Sequence, residues 1–150
     1  SGKIVSAYDI ARVCALGADW CNMARPFMFS LGCIQARDCS SGHCPTGIAT
    51  MDPSRYAAVS VSDRSERVFN FQKNTRGALK ELLEATGLYH PSELTRRHIV
   101  RRLSASKIKL ADQIYPNVEE SALLNNGFVK DPRLSFYWDR MDKSSFSPIN

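Results

Sequence analysis

Ser6-Ala7-Tyr8-Asp9-Ile10-Ala11-Arg12-Val13-Cys14-Ala15-Leu16-Gly17-Ala18-Asp19-Trp20-Cys21-Asn22-Met23 carries one helix and then a change of period. Ser6 predicts the helix cap, and Asp9, at the third helical position, favours the positive end of the helix dipole. Ile10, Val13, Cys14 and Gly17 follow at helical spacing, with Gly17 as the expected stop. Asp19 to Met23 predicts a short buried strand, and Pro26 predicts a second helix carrying Phe27, Met28 and Leu31. Strand end, helix, strand, helix is the rhythm of a parallel α/β fold. Only about two βα units are present, whereas a closed (β/α)8 barrel needs eight.

Downstream the pattern changes twice. From Gly32 to Pro53 the chain is rich in Cys, Ser, Gly and Pro, which predicts a loop. Helical patterning returns at Asp63, paired with Glu66 as in a capping box. Val68, Phe71, Ala78, Leu79, Leu82 and Leu83 form one apolar stripe that Gly87 ends. His90-Pro91-Ser92 predicts a further short helix, followed by a basic stretch from Arg96 to Lys109. In the tail, Leu123, Leu124, Phe128, Phe136, Tyr137 and Trp138 are expected to pack around a body. The division expected is therefore 1–60, a parallel α/β end with its cysteine loop, and 61–150, a helical extension. Taken alone, the chain should be mostly α with irregular loops. Its leading segment should pair with another copy, lie against the helices, or remain disordered, because its sheet edge has no partner strands.

Composition narrows the class without choosing within it. The chain has 150 residues, 43% hydrophobic and 23% charged, enough for one ordinary domain with a hydrophobic core. No apolar run approaches the roughly 20 residues of a membrane-spanning helix. Five cysteines, an odd number, disfavour a pure disulfide framework and suit a reducing, cytoplasmic setting. The formal charge of +5 attracts anions of every kind and selects none.

The chemistry concentrates in Leu31-Gly32-Cys33-Ile34-Gln35-Ala36-Arg37-Asp38-Cys39-Ser40-Ser41-Gly42-His43-Cys44-Pro45-Thr46-Gly47. Five residues separate Cys33 from Cys39, and four separate Cys39 from Cys44. Thiolates in one loop reach a common cluster only if the backbone curls, which Gly32, Gly42 and Gly47 permit, and Pro45 closes the run as in bacterial ferredoxins. Three thiolates without an evident fourth suit a 3Fe-4S cluster. A zinc site made by the same cysteines with His43 is the rival, although adjacent His43 and Cys44 are awkward for one tetrahedral ion. Free thiols, or one incidental disulfide, are the plainer alternative. Cys14 and Cys21 lie in apolar surroundings and suit small buried hydrophobes.

Gly32-Cys33, Cys39 and Cys44-Pro45-Thr46-Gly47-Ile48-Ala49-Thr50 at this spacing resemble the cluster loop of the glutamate synthase family, in which three cysteines hold a 3Fe-4S centre beside FMN. Ser1-Gly2-Lys3-Ile4-Val5 with Asp9, and Leu16-Gly17-Ala18-Asp19, resemble the seventh βα unit of that family's FMN barrel. Glu66-Arg67-Val68, Asn74-Thr75 and His90-Pro91-Ser92-Glu93-Leu94 resemble the helix after the cluster. The resemblance runs nearly end to end, most closely to about Arg102, and is to the shorter relatives that lack an amidotransferase domain.

The resemblance implies that Cys33, Cys39 and Cys44 ligate the cluster. It also implies that Gly2, Lys3, Ala24 and Arg25 anchor the FMN phosphate, since such barrels hold phosphate in the loops after strands seven and eight. The family often has Gly where this chain has Lys3, and Gly-Thr where it has Ala24-Arg25. Arg25 as an ordinary solvated charge is the alternative. The parent enzyme would relay electrons from a donor through the cluster to FMN and make glutamate from 2-oxoglutarate. The flavin-ring and 2-oxoglutarate residues would lie on the remainder of the FMN barrel, so the chain alone should be inactive. A structural zinc loop, or a basic partner-binding module, is the competing class. Arg96, Arg97, Arg101, Arg102, Lys107 and Lys109 cluster without a reader motif or stacking aromatics, so no nucleic acid is expected.

Overall fold

A computed structural model describes residues 1–115, 118, 120–122, 124 and 132–147. It divides into two compact units, Ser1–Ile99 and Val100–Asn150.

In the first unit, α1 spans Ala7–Ala15 and starts as the sequence predicts. Ser6 Oγ accepts the Asp9 N–H at 3.2 Å, and the Asp9 carboxylate accepts the Ser6 N–H at 3.1 Å. Such a box is typically worth about 1 kcal/mol. The helix ends in a Schellman turn, with the Gly17 N–H donating to the Cys14 carbonyl at 2.9 Å and the Ala18 N–H to Val13 at 3.0 Å. The same turn ends α2 (Ala24–Ser30) at Gly32 and α4 (Val61–Ala85) at Gly87. Between them lies α3, Pro53–Tyr56, with Asp52 as its cap. Two 3-10 turns, Pro91–Glu93 and Arg96–His98, close the unit.

Asp19 to Met23 does not form the expected strand. The Ser1 ammonium donates to the Trp20 carbonyl at 2.8 Å, and the Asn22 N–H donates to the Ser1 carbonyl at 2.7 Å. These two bonds follow the slant of a parallel ladder but span one residue, too few to be a strand. The leading segment lies against the helical body, with Ile4 only 2% exposed.

Helix α4 organises the unit, packing on α1 and α2. It begins two residues before Asp63 because Ser60 is the cap, accepting the Asp63 N–H at 3.4 Å. Its inward stripe runs through Arg64, Val68, Phe71, Thr75, Leu79, Leu82 and Leu83; Ala78 is exposed, and Thr75 takes its place on the helical repeat. Phe71 meets Phe27 of α2 edge-to-face, ring centroids 5.0 Å apart. Ala11, Ala15, Leu83 and Leu94 form the buried cluster, flanked by Cys14, Leu79, Leu82, Leu88 and Ile99. A core this small cannot relax around a hole. Leu83→Ala should therefore cost about 3 kcal/mol in chemical denaturation.

The second unit contains an unforeseen hairpin, β1 (Val100–Arg102) against β2 (Ile108–Leu110), antiparallel, with Arg101 facing Lys109. The basic residues masked its alternation, since Val100, Ile108 and Leu110 fall on one face with Arg102. Helix α5 (Ala111–Ile114) follows, and α6 covers Pro132–Trp138. Of the tail residues expected to pack, Leu123 and Phe128 lie outside the described residues, and Leu124, Phe136 and Tyr137 are exposed. The described structure is thus mostly helical, with one small two-stranded sheet and loops. Among the described residues, no helix is long and apolar enough to cross a membrane.

Candidate functional site

The cysteine loop leaves α2 through the Gly32 turn, in which the Cys33 N–H donates to the Met28 carbonyl at 3.0 Å. The first ligand candidate is therefore fixed to a helix end. The Gln35 N–H points at Cys33 Sγ, 3.5 Å away. The chain then curls through left-handed residues Gln35, Arg37, Gly42 and Gly47. Two of these are not glycine, a concentration of strain that local contacts must offset. Ser41 Oγ donates to the Asp38 carbonyl at 3.1 Å and accepts the His43 N–H at 3.0 Å, while Thr50 Oγ1 donates to Gly42. Cys39, on the outer part of this curl, is exposed.

Cys44 is different: it is buried, and its sulfur sits in a cradle of donors. Thr46 Oγ1 lies 3.4 Å from it. That hydroxyl first, then the N–H groups of Ala49, Thr46 and Ile48, outweigh burial and lower the thiol to about 7. Hydrogen bonds to the charged form favour thiolate, the state that binds iron. In the metal-free chain, thiolate ultraviolet absorbance lost in Cys44→Ser should titrate with a midpoint of about 7, and Thr46→Val should raise it. Because the folded value is below the ordinary 9.0, the linked stability is complete above that value and is lost as pH falls through about 7.

Arg55 of α3 pins the loop. Its Nη1 donates to the His43 carbonyl at 2.8 Å, its Nε to Asp52 at 3.1 Å, and its own carbonyl lies against Gly47. Arg64 of α4 lays its guanidinium over Gly32. Nothing in the sequence marked Arg55 or Arg64, since their roles depend on where α3 and α4 fall, and Thr46 stood there only as part of the quoted motif.

Among the described residues, no three His, Cys, Asp or Glu side chains gather as ligands of one metal ion. Ligands of an iron–sulfur cluster bind different irons and stand farther apart than ligands of a single ion. The donor set fits such a group in kind: three thiols on one curled loop, two of them receiving main-chain N–H groups.

The predicted phosphate anchors lie on two neighbouring segments. Ser1 pairs beside Cys21, so Gly2 and Lys3 leave that pairing in the same direction as the segment reaching Ala24 and Arg25. All four are exposed. Ala24 and Arg25 open α2, whose first residues have no side-chain cap. Lys3 has φ 59, left-handed backbone that suits the glycine of the resembling family. Lys3→Gly should accordingly stabilise the chain by about 1 kcal/mol, read as a rise in denaturation midpoint.

The first unit is thus a helical body carrying a strained loop with three thiols. Residues 1–89 match the family model described as the conserved region in glutamate synthase, and the chain belongs to the glutamate synthase family. It is 40% identical over 114 residues to the glutamate synthase large subunit-like protein YerD of Bacillus subtilis, covering 76% of this chain and 22% of that protein. With the NADH glutamate synthase of Schizosaccharomyces pombe it shares 31% over 139 residues, 91% of this chain and 6% of the other. With an archaeal NADPH glutamate synthase of Methanocaldococcus jannaschii it shares 35% over 88 residues, 59% and 17%. The chain thus spans less than a quarter of the length of each of these relatives. No solved structure matches it.

Proposed function

We propose that this chain is the cluster-bearing end of a glutamate synthase-type oxidoreductase, in which Cys33, Cys39 and Cys44 ligate a 3Fe-4S cluster and Gly2, Lys3, Ala24 and Arg25 meet the phosphate of FMN. The observation carrying this reading is the donor cradle at Cys44, inside the family-matched region. When bound, the two groups supply stepwise electron relay and reduction at carbon, for the amination of 2-oxoglutarate.

The chain's own residues have narrower tasks. Thr46, Ile48 and Ala49 favour the thiolate form of Cys44 before any metal arrives, which eases the deprotonation that loading requires. The Gln35 N–H tempers charge on Cys33, and Arg55 fixes the loop between the second and third thiols. Lys3 and Arg25 bring positive charge to one end of the paired leading segments, suited to a phosphate dianion. The flavin-ring contacts, the 2-oxoglutarate site, the electron donor's docking surface and the barrel strands belong, in this reading, to the remainder of the parent polypeptide. The chain alone would be inactive.

Anaerobic purification of the parent, with iron, sulfide, zinc and flavin analysis, tests the proposal. Iron and sulfide near cluster stoichiometry, with a broad visible absorption band, support it. Zinc without iron would replace it with a structural zinc loop.

A further inference from the structure

The hairpin of the second unit gathers positive charge on one side of a two-stranded ribbon. From Val100 to Ala111 the chain carries Arg101, Arg102, Lys107 and Lys109 and no acidic residue. The register sets Arg101 directly across from Lys109, on the opposite side of the ribbon from Val100, Arg102, Ile108 and Leu110. The Leu103 N–H donates to the Lys107 carbonyl at 2.8 Å, which continues the same register and sets Leu103 across from Lys107. Side chains alternate along a strand, so Arg101, Leu103, Lys107 and Lys109 share one face. Arg102, on the other face, donates to the Ala105 carbonyl at 3.2 Å. Arg101 donates to the Tyr115 hydroxyl, which carries no charge to offset its own. Among the described residues, no carboxylate pairs with Arg101, Lys107 or Lys109. Like charges held directly opposite each other work against a ribbon. The fold therefore keeps two cations where they cost stability, beside a leucine that is 45% exposed.

We propose that Arg101, Leu103, Lys107 and Lys109 form a docking face for a separate acidic protein, through a segment that presents carboxylates around one apolar side chain. This stands apart from the cluster and flavin assignments, because none of the four residues belongs to either. Strand geometry gives the face its size: about 7 Å between Arg101 and Leu103 along β1, and about 5 Å across to β2. Carboxylates over the opposed Arg101 and Lys109 relieve the repulsion that the register creates, and an apolar side chain covers Leu103. A second copy of this chain does not fit, because it would bring the same cations to the contact. Nucleic acid fits less well, since Val100 to Leu110 holds no aromatic ring on which a base could stack. A small inorganic anion would leave Leu103 bare. The hairpin also lies beyond residues 1–89, the part shared with the family model, which points outside the family's common core for its partner.

The test titrates the full 150-residue chain, isotopically labelled, with the acetylated and amidated peptide Glu-Asp-Leu-Asp-Glu while amide shifts are followed. Saturating shifts should centre on residues 100–110 and weaken as salt is raised. Lys109→Glu is the decisive variant, because it places an anion opposite Arg101. It should bind the peptide about tenfold more weakly, yet slow amide exchange in the hairpin by removing the repulsion. A face that served only the fold would not show both changes. Undiminished peptide affinity in Lys109→Glu would overturn the proposal, as would saturating shifts centred elsewhere in the chain. Equal affinity for the peptide with Ser in place of Leu would reduce the face to a general anion site and overturn it too. Tighter binding of a single-stranded oligonucleotide of the same charge would overturn it in favour of nucleic acid.

Discussion

Gly47→Ala should dismantle the cysteine loop, at a cost of about 3 kcal/mol from the left-handed backbone and the collision combined. Gly47 has φ 76, which already disfavours a side chain. The added Cβ would also be driven into the Arg55 carbonyl and within 3.0 Å of Val59 Cγ2. A backbone carbonyl cannot swing aside as a side chain does, so either α3 moves or the loop does. Denaturant unfolding followed by circular dichroism measures the loss. Gly32→Ala is the instructive comparison. It too is left-handed, at φ 101, but its Cβ would meet the Arg64 guanidinium, the far end of a flexible side chain. That variant should lose clearly less stability; equal losses would show that backbone conformation alone, and not the approach of α3, sets the cost at Gly47.

Cys44→Ser should abolish cluster binding in the parent outright, with loss of its visible absorption and of bound iron. Three ligands leave no spare, and the cradle built by Thr46, Ile48 and Ala49 would then surround a hydroxyl, which stays protonated. Cys39→Ser removes an exposed candidate ligand with no such cradle and should leave residual, easily lost iron. Thr46→Val should retain the cluster but load it more slowly at low pH, because the thiolate must then be generated during loading. Full cluster retention in Cys44→Ser would remove Cys44 from the ligand set.

What could be read from sequence was local. Ser6 with Asp9, and the stops at Gly17 and Gly87, were legible because caps and Schellman turns are written in neighbouring residues. The cysteine spacing and its family were legible for the same reason. The strand at Asp19 to Met23 was misread because a strand is a relation with a partner, and pairing here extends over Ser1 alone. The hairpin at Val100–Leu110 was missed for the opposite reason: Arg101, Arg102, Lys107 and Lys109 suggested a charged surface and hid the pairing register. Ser60 was overlooked as a cap because Asp63 and Glu66 imitate one. Thr46, Arg55 and Arg64 required the fold itself.

Arg55 joins with one side chain and one carbonyl what are otherwise two unstable pieces. Helix α3 has four residues, far short of what sustains a helix in water, and the loop has strained backbone of its own. They should therefore open and close as a single cooperative patch, and amide exchange at Ser54, Arg55 and Tyr56 should follow the fate of Cys44. Whatever occupies the thiols would then be felt as slowed exchange in a helix that contributes no ligand, giving a reporter of loading that needs neither colour nor activity.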